Sequence, residues 1–165
     1  MKLEKVERIV IHTAAAANKL GIPVDQSAAT IRDYHVRTKG WSDIGYHYVI
    51  RMNGRIEAGR PEGLVGAHVE GFNSHSLGIC LAGHGDKRDF TAAQKESLAA
   101  FVVQLLEKYS LTEAFKANPM RVLGHRECYQ LPGVTNTGKS CPGTKVDMTA
   151  IRLSILALLK DNGRA

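Results

Sequence analysis

The amino-acid sequence predicts one α/β domain in which short buried strands alternate with amphipathic helices. Three features predict it. Two short apolar runs, residues 8–12 and 120–125, each end on a histidine. Asn53-Gly54 separates two further extended segments, and two long stretches after residue 90 repeat apolar residues at helical spacing. At 165 residues and 44% hydrophobic composition the chain can fill one core, so a single domain over residues 1–165 is expected.

Arg8-Ile9-Val10-Ile11-His12 reads as a buried strand that delivers His12 to its carboxyl end, the edge where open α/β sheets bind ligands. Taken alone, His12 reads first as a structural histidine. Between Asp25 and Thr38, residues Ala28, Ile31 and His35 recur at helical spacing and Gly40 stops the helix; His35 on that stripe reads as packing. The turn 41–45 leads into a strand 46–51 in which Tyr46, Tyr48 and Ile50 share one face, and residues 55–59 return after the hairpin. Residues 63–76 fit no period; His68, Asn73 and His75 among glycines suit either a solvated loop or the wall of a cleft. Residues 77–82 form a near-continuous apolar strand, which makes Cys80 a small buried hydrophobe.

Thr91 and Gln94 form a capping box at the head of a long helix striped by Leu98, Phe101, Val102, Leu105 and Tyr109. After Pro119 comes the second strand that ends on a histidine, His125. Asp147 caps a last helix with Met148, Ile151, Ile155 and Leu158 on its buried face, ended by Asn162-Gly163.

Lys and Arg number 22 against 16 acidic residues, a net charge of +6, which favours polyanionic partners such as anionic cell-wall polymers. The excess is scattered and aromatics are only 6%, which argues against direct nucleic-acid binding. An odd count of three cysteines fits a reducing compartment better than a disulfide framework. The N-terminus lacks the apolar core of a signal peptide, and no run approaches the ~20 apolar residues of a membrane span. Synthesis in the cytoplasm without membrane insertion is the expectation.

The chemistry centres on Gly138-Lys139-Ser140-Cys141-Pro142-Gly143. Pro142 pushes Cys141 toward an extended conformation, and in an extended chain Lys139 and Cys141 project from one side. Three readings compete. Residues 133–140 match the phosphate-loop pattern G-x-x-x-x-G-K-[ST], but they lack the buried strand before and the helix after that such a loop needs. A closed structural zinc site could use His125, Cys128, Cys141 and His12 or another histidine, since His125-x-x-Cys128 has knuckle-like spacing. An open catalytic zinc site would use His12, His125 and Cys141, with water in the fourth position, Lys139 for the oxyanion and Tyr46 to hold or deprotonate the water.

The ordered segments Ile11-His12-Thr13-Ala14, Trp41-x-Asp43-Ile-Gly-Tyr46-His-Tyr48-Val-Ile50, Asn53-Gly54-x-x-Glu57-x-Gly59-Arg60, Gly66-Ala-His68-x-x-Gly71-x-Asn73, Ser76-x-Gly78-Ile-Cys-Leu and Gly124-His125-Arg-Glu resemble the zinc-dependent N-acetylmuramoyl-L-alanine amidases. That family includes small phage lysozymes and peptidoglycan recognition proteins. The resemblance, over residues 8–160, implies a mixed central β-sheet flanked by helices. It also implies hydrolysis of the amide between the lactyl group of N-acetylmuramic acid and L-alanine. By position it makes His12, His125 and Cys141 the zinc ligands, Tyr46 and Lys139 the catalytic pair, and His68 and Asn73 lining of the glycopeptide cleft. Cys141 as third ligand matches the phage enzymes and catalytic recognition proteins, where cytoplasmic recycling amidases have Asp. The segment 127–137 departs from the small phage enzymes in length and carries Cys128.

The expectation is therefore an endolysin-type peptidoglycan hydrolase, monomeric, with Zn2+ as cofactor, that reaches the wall through a permeabilised membrane. The alternative is a binding module on the same scaffold, directed to peptidoglycan or to phage RNA polymerase, which some small phage amidases inhibit.

Overall fold

Five strands carry the core. In a computed structural model, which describes residues 1–163, these are β1 (Arg8–Thr13), β2 (Tyr48–Ile50), β3 (Ile56–Ala58), β4 (Ser76–Leu81) and β5 (Val122–Gly124). They form one sheet in the order β3-β2-β4-β1-β5. β1 lies parallel to both β4 and β5, β2 is parallel to β4, and only the β2–β3 hairpin is antiparallel. The sheet is mixed, as expected, and its centre is buried on both faces.

Alternation along the strands divides the two faces. Ile9, Ile11, Ile50, Leu77, Ile79 and Leu81 pack beneath α2 (Ala92–Lys108), α3 (Thr112–Ala117) and α4 (Met148–Asn162). Val10 packs on the opposite face with Val69, Phe72 and Leu123, while Val49 and Cys80 pack there with α1 (Ala28–Asp33). One face is the helical core and the other carries the loops. His12 continues the loop-facing series.

The caps form as the sequence predicts. Thr91 Oγ1 accepts from the Gln94 amide at 3.1 Å and Gln94 Oε1 accepts from the Thr91 amide at 3.0 Å. The Gln94 amide nitrogen then donates to the carbonyls of Ile50 and Ala82, tying the head of α2 to the ends of β2 and β4. Asp147 caps α4 through the Ala150 amide.

Three expectations change in detail. The stretch 25–38 is a short α-helix capped by Ser27, continued by a π-helical turn Tyr34–Thr38 and ended by Gly40 at φ +73°. Asp25 sits outside it because its carboxylate accepts from Arg51 and the Met52 amide. Tyr46 does not share a face with Tyr48: the chain bends at His47 before β2 begins, so Tyr46 packs with Val49 on the loop side. α3 went unread because it is only six residues long, anchored by Leu111 and Phe115.

Two buried histidines of the scaffold make stability depend on pH. His35 Nδ1 accepts from the Gly45 amide at 2.9 Å, and His47 accepts from the Gly78 amide on Nδ1 at 3.0 Å while donating from Nε2 to the Leu64 carbonyl at 2.8 Å. Protonating either Nδ1 breaks a buried bond. Burial, reinforced by the charges of Lys39 and Arg60, lowers the His35 pKa to about 4; burial also lowers that of His47. Since the folded pKa lies below the unfolded one, the stabilisation is complete above pH ~6.5 and is lost as pH falls toward about 4 for His35. Each group contributes a slope of at most about 1.4 kcal/mol per pH unit in that window. Thermal melts at pH 7, 5.5 and 4.5 should show this decline, shallower in His35→Asn, which keeps an acceptor but does not titrate.

Candidate metal centre and cleft

Register builds the centre of the site. β5 pairs with β1 so that Ile11 lies opposite Gly124, which makes His12 and His125 the next neighbours at the carboxyl edge. Their rings stand 4.9 Å apart. On the other side of β1, His12 is paired with Cys80 and Cys80 with Val49, so Tyr46, just before β2, comes within 5.0 Å of the His12 ring, centroid to centroid.

Cys141 arrives from a distant loop, held by long-range contacts. The Cys141 carbonyl accepts from the Arg126 amide at 2.7 Å, and the Arg126 guanidinium donates to the carbonyls of Ser140, Gly143 and Val146. Asp86 accepts from the Ser140 hydroxyl at 2.8 Å and the Thr144 amide at 2.7 Å. Gly143, at φ +131°, crosses Gly85 so closely that a Cβ there would lie 2.1 Å from the Gly85 carbonyl carbon. Glu127, two residues after His125, accepts from the Gly124 amide and from both terminal guanidinium nitrogens, Nη1 and Nη2, of Arg152 on α4. Burial would raise its carboxyl pKa, but Arg152 and the Gly124 amide outweigh that and lower it. Residues 124–127 thus present His125, clamp the Cys141 loop and anchor α4.

His12, His125 and Cys141 each offer one donor atom, and these lie within 4.8 Å of one another. His12 Nδ1 is 3.6 Å from Cys141 Sγ, and that sulfur also accepts from the Thr13 amide at 3.5 Å. Burial, with neighbouring His68, His125 and Lys139, lowers the His12 pKa well below its ordinary value; burial and Lys139 lower that of His125 to about 4. Both imidazoles are therefore neutral donors at pH 7. Burial raises the Cys141 thiol to about 11 against the opposing pull of the Thr13 amide, Lys139 and Arg126. A metal binding there would displace its proton. Two neutral imidazoles and a thiol converging with one open side fit a zinc ion with a free coordination position.

The three donors line a cleft of about 720 Å³ whose walls also include Tyr34, Lys39, Trp41, Tyr46, His68, His84, Asp86 and Lys139. Lys139 lines it, as do Ser140 and Cys141. Burial raises the Tyr46 hydroxyl pKa well above its usual value, so it stays protonated.

His68 lines the same cleft but is itself buried, with Nδ1 2.9 Å from His12 Nε2. Asn73 does not line the cleft. Its side-chain carbonyl accepts from the amides of His68 and Val69 and so shapes the loop that presents His68. Cys128 is buried among Val10, Val69, Phe72 and Leu123 with its thiol against the Gly124 carbonyl, and it is not part of the donor cluster. That overturns the closed four-ligand alternative. Residues 133–140 form a loop after a 3₁₀ turn, with no helix until Met148, which removes the phosphate-loop reading. Arg126 and Asp86 escaped sequence reasoning; the visible signal was Arg126 beside His125.

A family model described as N-acetylmuramoyl-L-alanine amidase matches residues 2–144. The chain belongs to the N-acetylmuramoyl-L-alanine amidase family. Among its relatives, the endolysin of Klebsiella phage KP32 is 37% identical over 114 residues, 66% of this chain and 72% of that protein. The endolysin of Escherichia phage T7 is 39% identical over 111 residues, 64% and 70% of the two chains. The solved structure of the N-acetylmuramoyl-L-alanine amidase LysC from Clostridium intestinale superposes with a TM-score of 0.73 at 29% identity, covering 92% of this chain and 85% of the other. A Drosophila peptidoglycan recognition protein, SD, shares the fold at a TM-score of 0.71 and 21% identity. These matches make this amidase-family chain a peptidoglycan hydrolase. Among the described residues, no helix is long and apolar enough to cross a membrane.

Proposed function

We propose that the chain is a zinc-dependent endolysin that hydrolyses the amide joining the lactyl group of N-acetylmuramic acid to L-alanine. The convergence of His12, His125 and Cys141 in the cleft carries this reading. When bound, zinc supplies Lewis acidity for the carbonyl and makes water acidic enough to attack near pH 7.

The chain's own residues supply the rest. Lys139, exposed on the cleft wall two residues from Cys141, meets the negative charge that develops on the carbonyl oxygen as the tetrahedral intermediate forms. Tyr46, a phenol held against His12, orients the attacking water by hydrogen bonding. The proton released by the attacking water balances the one that the leaving L-alanine amine gains before it departs. The net charge of +6 favours retention on the anionic wall, which the enzyme reaches through a permeabilised membrane.

The test is product analysis on purified sacculi. The reading predicts new L-alanine amino termini in step with solubilisation, and no new reducing sugar ends. Reducing ends in place of amino termini would assign cleavage to the glycan strand and refute it.

A further inference from the structure

The cleft contains imidazoles that the chemistry above leaves unused, and the surroundings of one of them, His68, are built for it. The His68 ring lies against β4 at Gly78, where a Cβ would be 2.6 Å from His68 Cγ, and against Gly66, where a Cβ would be 2.8 Å from His68 Cδ2. Two glycines open a slot the width of a ring. Asn73 fixes the backbone at its mouth by accepting from the His68 amide at 2.7 Å.

Inside the slot the hydrogens can be placed without conflict. His12 turns Nδ1 toward Cys141 and Nε2 toward His68 Nδ1. If Nδ1 is the metal donor, the one proton of neutral His12 sits on Nε2 and is donated to His68. The His68 proton is then on Nε2, which faces Ser76 Oγ at 3.4 Å, and the Ser76 hydroxyl donates to the Phe72 carbonyl at 2.8 Å. The relay ends on a backbone carbonyl, and it contains no carboxylate.

We propose that His68 is a positioning residue, locking His12 in the Nε2–H tautomer and in the orientation that presents Nδ1 to the metal. The inference rests on the zinc reading above. It gives His68 a task within the protein in place of substrate contact. Because the relay is neutral, it orients the ligand without adding negative charge, which leaves the ion a stronger Lewis acid than an imidazole–carboxylate pair would.

The test compares zinc affinity, by competition with a chromophoric chelator, for the wild type, His68→Leu, His68→Asn and Gly78→Ala. Partners of this kind typically control 10–100-fold in metal affinity. His68→Leu should bind zinc about 10–100-fold more weakly and show an altered cobalt(II) absorption spectrum. His68→Asn, which can return an acceptor near the Nδ1 position, should recover most of the affinity. Gly78→Ala, which touches no ligand, should weaken binding by displacing the ring. Nitrogen-15 spectra of zinc-loaded wild type should place protons on Nε2 of both His12 and His68. A wild type that takes up no zinc overturns the metal reading and this inference with it. Zinc affinity in His68→Leu within twofold of wild type overturns this inference alone. A proton on His12 Nδ1 in the zinc-loaded wild type does so even if the variants fail to fold.

Discussion

Replacing Lys139 by alanine should leave zinc content unchanged and slow muropeptide release by about 10²–10³-fold. Lys139 lines the cleft two residues from Cys141, yet it donates no side-chain hydrogen bond to the loops that hold Cys141. Those loops hang on Arg126, Asp86 and the Gly85–Gly143 crossing, none of which needs the Lys139 side chain. Its removal therefore takes a charge from the cleft and leaves the donor cluster in place. The loss should fall on kcat more than on KM, because the charge that Lys139 meets exists mainly in the transition state. Zinc loss in Lys139→Ala, or full activity, would contradict this assignment.

Cys141→Ala should have the larger effect. The backbone of residue 141 keeps its bond from the Arg126 amide, so the loop has no reason to move. What disappears is one of three donors, the only anionic one at pH 7 once metal displaces its proton. Lewis acidity worth several kcal/mol goes with the ion, and each ~1.4 kcal/mol is tenfold in rate. A loss of at least about 10³-fold is expected, with melting behaviour near that of metal-free wild type. Cys141→Asp keeps an anionic ligand and should hold zinc where the alanine variant does not.

Much of this site could be read from one-dimensional pattern, and the unread part has a common cause. Strand ends at His12 and His125 are visible because β-branched runs stop on them, but their adjacency comes from the parallel pairing of Ile11 with Gly124. Local spacing carries no information on strand partners. Cys141 was legible as a chemical group, while the devices that aim it, Arg126 and Asp86, act across sequence separations of 14 or more or through backbone crossings. Tyr46 was placed on the wrong face by extending a two-residue period across the bend at His47, where the strand has not begun. Cys128 looked like a ligand from its spacing to His125, but the 3₁₀ turn His125–Gln130 points it into the core behind the site. The glycines at 66 and 78 read as loop and strand punctuation; only the fold shows that they open a slot for His68.

The most direct measurement of the central claim is zinc per chain, taken alongside sacculus digestion before chelation, after chelation and after zinc is returned. One zinc per folded chain is predicted, with turnover lost on stripping and regained with one equivalent. Turnover that persists in rigorously metal-free protein would contradict the account.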